Sequence, residues 1–194
     1  MSPIRTTLAG ERGFTLVEML MVVALTIVIV GMVMLVGPSF IKHARADSGT
    51  IQVLESLRVA RETAISQRRN VQVRFIGVDT LQTAREEIPA ANGTTIQQTV
   101  VLENRVQFRL VPAIPDTPDR FGGGNPPPNA IAFGPSVTRM FTSEGTLIDS
   151  NGDPINGTVF MSIEGVPNSS RAITVFGITG LMRAWQWNGR AWVE

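Results

Sequence analysis

The chain has 194 residues, no cysteine, one histidine and a formal net charge of +1. The missing cysteine excludes disulfides, thiol catalysis and cysteine-ligated metal sites. The near-neutral charge argues against a broad polyanion-binding surface. The lone histidine, His43, lies beside Lys42 at the edge of an apolar segment, so we expect an interfacial polar residue rather than a base that activates a serine. We therefore predict no enzyme, no metal site and no cofactor.

A long apolar segment lies near the N-terminus. Residues 19–41 are 23 consecutive positions without Asp, Glu, Lys or Arg. As a helix they would span about 35 Å, which is enough to cross a bilayer. Glu18 stands at the start of this segment, and a carboxylate in lipid is costly unless it finds a partner, so it is a candidate functional residue. The alternative is a plain single-pass anchor, which leaves Glu18 unexplained.

The string Gly13-Phe14-Thr15-Leu16-Val17-Glu18, followed by the apolar run, resembles the class III signal of type IV pilins and type II secretion pseudopilins. The resemblance implies that a prepilin peptidase cuts the chain between Gly13 and Phe14, that the Phe14 amine is N-methylated, and that Glu18 acts in assembly. It also implies a single-pass anchor in the bacterial inner membrane with the globular domain in the periplasm. The basic residues flanking the helix are balanced and do not decide the orientation.

The chain divides into a predicted leader, residues 1–13, a transmembrane and assembly helix, residues 14–36, an amphipathic second half of that helix, residues 37–69, and a β domain, residues 70–194. Gly37-Pro38 predicts a kink rather than an end. The second half carries apolar residues at helical spacing. Its closest-spaced face is Val53, Leu57, Ala60 and Ala64, and a broader stripe adds Ile41, Ile51, Leu54 and Ile65.

After Asn70 the apolar period changes to two, which predicts strands. The first strand holds Val71, Val73 and Phe75. Further candidates are residues 99–102, 106–111, 130–133, 139–141, 159–163, 172–176 and 182–187. No second helix is available for parallel crossovers, so we predict antiparallel sheets and an α+β fold. Residues 112–129 hold six prolines and three consecutive glycines, and we expect a solvated surface loop there.

The C-terminus predicts a hairpin, because Asn188-Gly189 favours a two-residue type I′ turn. In that register Trp187 pairs with Arg190 and Trp185 pairs with Trp192, and all four side chains share one face. Two interpretations stay open. The tryptophan face covers the sheet core, or it is an exposed aromatic and basic platform for a partner subunit or single-stranded nucleic acid.

The order of helix and sheet resembles the H-type minor pseudopilin of type II secretion and the T- and U-type minor pilins of type IV pili. The supporting segments are residues 57–73, 141–145 and 171–183. The resemblance implies a structural subunit of a periplasmic pseudopilus that drives protein secretion, with other pseudopilins as partners. The alternative is a minor pilin of a type IV pilus, or a DNA-uptake receptor.

The DNA-uptake alternative depends on a C-terminal Gly-Arg-x-Arg pattern found in some T-type minor pilins. Here the matching place reads Gly180-Leu181-Met182-Arg183, so the first arginine is missing. One phosphate contact is lost with it, which argues against nucleic-acid binding. Asp149, Asn151 and Asp153 have the alternation of a calcium loop but lack its later glutamate, so we expect an ordinary turn. An unrelated binding domain on a single-pass anchor is the remaining alternative.

Overall fold

The computed structural model of the chain describes residues 14–134 and 139–194. The predicted leader, including Gly13 at the cleavage position, lies outside the described residues. The chain forms two compact units, Met1–Phe40 and Ile41–Glu194. A single helix, α1, spans Leu16–Gln67 and contributes to both. It continues through Gly37 and Pro38 rather than ending there.

In the first unit, the described part of α1 is apolar and exposed. Leu16–Met34 is long and apolar enough to cross a membrane. Its described side chains face solvent throughout, so no protein surface within this unit covers them. An uncovered apolar helix of this length is stable only in lipid or against other helices.

In the second unit, α1 buries one face against the sheets. Ala46, Val53, Leu57, Ala60 and Ala64 are all buried, which confirms the predicted face. The broader stripe is wrong at three of its four added positions, whereas Leu54 is partly buried and packs against the core. Ile41, Ile51 and Ile65 are each at least 40% exposed, because they lie about 120–160° around the helix from Val53 at ~100° per residue.

Eleven strands are found in the described residues, and every pairing between them is antiparallel, which confirms the α+β fold. The strands are β1 Val71–Ile76, β2 Thr80–Glu86, β3 Thr94–Val101, β4 Val106–Phe108, β5 Ile131–Ala132, β6 Arg139–Phe141, β7 Leu147–Ile148, β8 Gly157–Ile163, β9 Arg171–Phe176, β10 Leu181–Trp187 and β11 Trp192–Val193. One sheet has the order β3-β2-β1-β6-β7, and the other has the order β11-β10-β9-β8-β4 with β5 also paired to β8. A short 3₁₀ turn, Ala90–Asn92, precedes β3.

The main core is shared by the helix and both sheets. Leu57 of α1, Val73 of β1, Val159 of β8 and Ile173 of β9 belong to one buried cluster. The helix lies close to β4 at Gly49, since a methyl group at this position would lie 2.8 Å from Val106 Cγ1. Both sheets therefore depend on the second half of α1 for their burial.

Two strands were missed by sequence reasoning. β2 buries Leu81, Thr83 and Ala84, and its small or polar residues give no clear alternation of apolar side chains. The pairing of β2 with β3 also shifts by one residue beside Thr83 and Ala84, where Gln97 of β3 is the extra residue, because a bulge places two residues of one strand opposite one of the other. β7 has only two residues, which is too short for a periodic signal.

Gly157 has no room for a side chain. A Cβ atom at this position would clash with the Phe133 ring, and Phe133 is buried in the main core. We expect Gly157→Ala to destabilise the domain by about 2 kcal/mol through overpacking, measured by urea unfolding. Gly152→Ala is the control, because its Cβ would meet open space and only a left-handed backbone, φ +90°, opposes it. Equal losses in the two variants would contradict the packing argument.

Candidate functional site

The start of α1 is organised by a reciprocal pair of hydrogen bonds. The backbone N–H of Thr15 donates to Glu18 Oε2 over 2.9 Å, and the backbone N–H of Glu18 donates to Thr15 Oγ1 over 3.2 Å. The Thr15 hydroxyl also donates to Glu18 Oε2 over 3.1 Å. This is a capping box, in which a threonine and the glutamate three residues later satisfy N–H groups that the helix leaves free.

Thr15 is a site residue that sequence reasoning missed. The Thr-x-x-Glu spacing before an apolar run is a recognised helix-start signal, and it was present in the chain. Glu18 therefore has a local structural role in addition to the assembly role predicted for it. Its second oxygen, Oε1, accepts no hydrogen bond from any residue in the described part of the chain, so the carboxylate keeps capacity for an external cation. Phe14, 81% exposed, lies just before this cap.

The C-terminal hairpin forms, but in a different register from the predicted one. Trp187 pairs with Trp192, and Gln186 pairs with Val193, so the predicted Trp185–Trp192 and Trp187–Arg190 pairs are wrong. Asn188 decides the register. Its Oδ1 accepts the backbone N–H groups of Arg190 and Ala191, each over 2.9 Å.

The backbone of the turn agrees with that side-chain arrangement. The N–H of Asn188 donates to the carbonyl of Ala191 over 3.2 Å. Gly189 and Arg190 then become the two central turn residues, and Gly189 takes a left-handed φ of +96°. A glycine at the first central position suits a hairpin turn as well as one at the second does, so the Asn-Gly pair alone did not choose between the two registers.

The tryptophans lie in a second buried cluster, together with Phe160 and Ala172. Trp185 and Trp192 are each 8% exposed, and their indole N–H groups are satisfied by Thr174 Oγ1 at 3.0 Å and the Pro115 carbonyl at 2.8 Å. The core interpretation is therefore confirmed for these two rings. Trp187 is only half-buried and packs edge-on against Trp192 with centroids 5.6 Å apart.

Arg183 is engaged inside the domain. Its Nη1 donates to Asp119 Oδ1 over 3.1 Å, and its guanidinium lies 5.2 Å from the centroid of the Phe176 ring. A cation held by a carboxylate and a ring is less available to a phosphate than a free one. These contacts of Arg183 do not favour the predicted nucleic-acid contact.

The segment 112–129 forms no strand and more than half of its residues are exposed, as expected for a surface loop, but the segment also packs on the domain. Asp119 Oδ2 accepts the hydroxyl of Thr174 in β9 over 2.6 Å, and Phe121 packs edge-on against Phe176 at 4.8 Å. Within the segment, Asp116 accepts the backbone N–H groups of Thr117 at 2.7 Å and Gly122 at 2.8 Å. The segment is therefore fastened to the second sheet by polar and aromatic contacts.

The segment and the hairpin enclose an open groove of about 890 Å³, which we call the loop–hairpin groove. Of the predicted contact residues it brings together Trp187, Arg190 and Trp192, and it leaves Arg183 and Trp185 out. Its lining comprises Pro115, Asp116, Thr117, Pro118, Arg120, Gly124, Asn125, Trp187, Arg190, Ala191 and Trp192.

Residues 149–153 form an ordinary turn, as expected. Asp149 Oδ1 accepts the backbone N–H groups of Asn151 at 2.8 Å and Asp153 at 3.0 Å, which is the arrangement that aspartate favours in turns. In the described part of the chain, no three His, Cys, Asp or Glu side chains converge in a way that could hold a metal ion.

The chain is an α+β protein whose described residues include a candidate membrane-spanning helix, capped by Thr15 and Glu18. No protein-family model matches the chain, and no curated protein matches it in sequence. Among solved structures, the chain is similar to the minor pseudopilin EpsH from the Type 2 Secretion System of Vibrio cholerae. The two are 14% identical with a TM-score of 0.49, over 73% of this chain and 97% of that chain.

Proposed function

We propose that this chain is a membrane-anchored minor pseudopilin, a structural subunit of the periplasmic filament of a type II secretion system. One observation carries the proposal: Glu18 is the single carboxylate at the start of an exposed and otherwise uncharged helix, Leu16–Met34, and it follows closely after Gly13-Phe14. A plain membrane anchor could use this carboxylate only as a helix cap, whereas an assembling helix can also use it to bind a cation of a neighbouring subunit.

The assembly role follows from charge. Cleavage after Gly13 would create a positively charged amine on Phe14, and lipid solvates neither this amine nor the Glu18 carboxylate. In a filament, Glu18 of one subunit can pair with the Phe14 amine of a neighbour, which offsets the desolvation of both groups. The free Oε1 of Glu18 supports this, because the carboxylate can keep its cap on Thr15 and accept a second donor.

The anchor and the domain then have separate roles. The apolar part of α1 lies in the inner membrane and packs against the same helix of other subunits, and the domain lies in the periplasm. The leader is removed by a prepilin peptidase on the cytoplasmic side. We assign the chain no catalytic role, since its proposed contribution is a position in a filament.

The N-terminus of the protein purified from membranes tests this proposal. In a host with an active prepilin peptidase, we expect an intact mass that begins at Phe14 and carries one added methyl group. The same chain from a host without the peptidase is the control and should keep residues 1–13. Retention of residues 1–13 in both hosts would contradict the proposal and leave a single-pass membrane protein.

A further inference from the structure

Apolar rings line both sides of the loop–hairpin groove. Pro115 and Pro118 come from one side, and Trp187 and Trp192 come from the other. The Trp192 indole is tied to the Pro115 carbonyl, so the two sides are joined by a hydrogen bond at the base. A groove held in this way loses little conformational entropy when a ligand binds.

The groove also presents donors that have no partner. The side chains of Arg120 and Arg190 are exposed and make no hydrogen bond or ion pair with any described residue. The indole N–H of Trp187 likewise donates to nothing in the described part of the chain. Two arginines and one tryptophan with unpartnered donors therefore line a ligand-sized groove, and these donors can exchange water for the acceptors of a ligand.

The one carboxylate in the lining, Asp116, offsets only one of these two positive charges. Asp116 already accepts the N–H groups of Thr117 and Gly122 and the Thr117 hydroxyl, at 2.7, 2.8 and 3.3 Å. These bonds hold it in the loop backbone rather than against either arginine. The groove is thus positive at its edge and apolar at its base.

We propose that the loop–hairpin groove binds an extended, acidic segment of a partner protein. The backbone carbonyls of an extended peptide can accept the Trp187 N–H, as they do in grooves lined by aromatic residues. Carboxylate side chains match the planar guanidinium groups of Arg120 and Arg190. Apolar or proline side chains would pack on Trp187 and Pro115. This activity goes beyond the structural role and does not depend on it.

A nucleic acid fits the same groove less well. Backbone binding needs a row of cations, because affinity grows with the number of neutralised phosphates, and the groove offers only Arg120 and Arg190. Stacking needs exposed ring faces, and Trp192 is buried with its N–H in use. An acidic peptide needs only two cations and one N–H donor, which is what the groove offers.

Tryptophan fluorescence of the full chain in detergent tests the proposal. All three tryptophans of the chain lie in or beside the groove, so a change in emission reports this region. The probe is an acetylated eight-residue peptide of alternating proline and glutamate, titrated to about 1 mM. We expect a saturable change with this peptide and at least about fivefold weaker binding of the same peptide with glutamine for glutamate.

Variants identify the groups responsible. We expect Arg120→Gln and Arg190→Gln each to weaken the acidic peptide about three- to fivefold, as for other exposed ion pairs. Trp187→Phe keeps a ring but removes the N–H donor and should also weaken binding. Arg58→Gln, an exposed arginine on α1 outside the groove, is the matched control and should change nothing.

Three results would overturn the proposal. One is the absence of any change with the acidic peptide, and another is equal binding of the glutamine peptide. The third is tighter binding of an oligothymidylate at about 0.15 M salt, which would assign the groove to single-stranded nucleic acid instead. The measurement needs no filament and no cleavage of the leader, so its failure is distinct from failure of the proposed pseudopilin function.

Discussion

Replacing Glu18 by glutamine is expected to abolish incorporation into filaments while membrane insertion stays normal. Glutamine can occupy the same place in the capping box and accept the Thr15 N–H, so the helix start should be retained. It carries no charge, however, and cannot compensate the Phe14 amine of a neighbouring subunit in lipid. Because the partner charge is then left unpaired, we expect at least about a tenfold loss of incorporation.

The measurement is the amount of this chain recovered in sheared filaments, relative to the amount in the membrane fraction. Thr15→Ala is the matched control, since it removes the capping hydroxyl and leaves the carboxylate in place. We expect its incorporation to be close to normal. Equal losses for Thr15→Ala and Glu18→Gln would mean that Glu18 serves only as a cap. Normal incorporation of Glu18→Leu would refute the pairing altogether.

An ion pair between Asp47 and Arg171 joins α1 to β9. Arg171 is only 2% exposed, and its Nε donates to Asp47 Oδ1 over 2.6 Å, whereas the Asp47 side chain is 49% exposed. The Arg171 Nη1 also donates to the carbonyls of Asn168 and Ser170, at 3.1 and 3.0 Å. Its Nη2 is buried and has no hydrogen-bond partner among the described residues.

The two partners of this pair should therefore respond unequally. Asp47→Ala leaves a buried guanidinium without its counter-charge, and we expect a loss of about 3 kcal/mol, the low end for buried pairs because Asp47 reaches solvent. Arg171→Met removes the cation, fills most of its volume and leaves Asp47 in water, so we expect a smaller loss. Two carbonyls lose their donors, which keeps that loss above zero.

Urea unfolding of the full chain in detergent, followed by tryptophan emission, measures both variants. Asp47→Asn is the control for geometry, since it keeps an acceptor for Arg171 and should lie between the wild type and Asp47→Ala. A larger loss for Arg171→Met than for Asp47→Ala would contradict this account. It would mean that the hydrogen bonds from Arg171 to the carbonyls outweigh its charge pairing with the helix.

Apolar patterns in the sequence predict burial correctly where a single repeat, such as that of a helix, dominates. Val53, Leu57, Ala60 and Ala64 follow the helical repeat and are buried, because the face of a helix is set by spacing alone. Ile51 is apolar but lies on the opposite side of the helix from Val53 and is exposed, so an apolar side chain without the right spacing does not predict burial. The Thr15–Glu18 cap could also have been predicted, since its signal is four residues long and local.

The hairpin shows why a local signal can be insufficient. Asn188-Gly189 permits two adjacent registers, and the two place different tryptophans opposite each other. The choice depends on where the Asn188 side chain finds donors and on which rings fill the space beside Phe160. That space is created by other strands, so no inspection of the C-terminal residues alone could decide it.

The apolar helix, its single carboxylate and the α+β class follow from the amino-acid sequence alone, because they depend on composition and on periods within a few residues. The packing of residues 112–129 against the second sheet, and the groove that they form with the hairpin, are visible only in the folded chain. The contacts that do this join Asp119 to Thr174 and Pro115 to Trp192. They connect residues more than fifty positions apart, and only the folded chain brings such residues into contact.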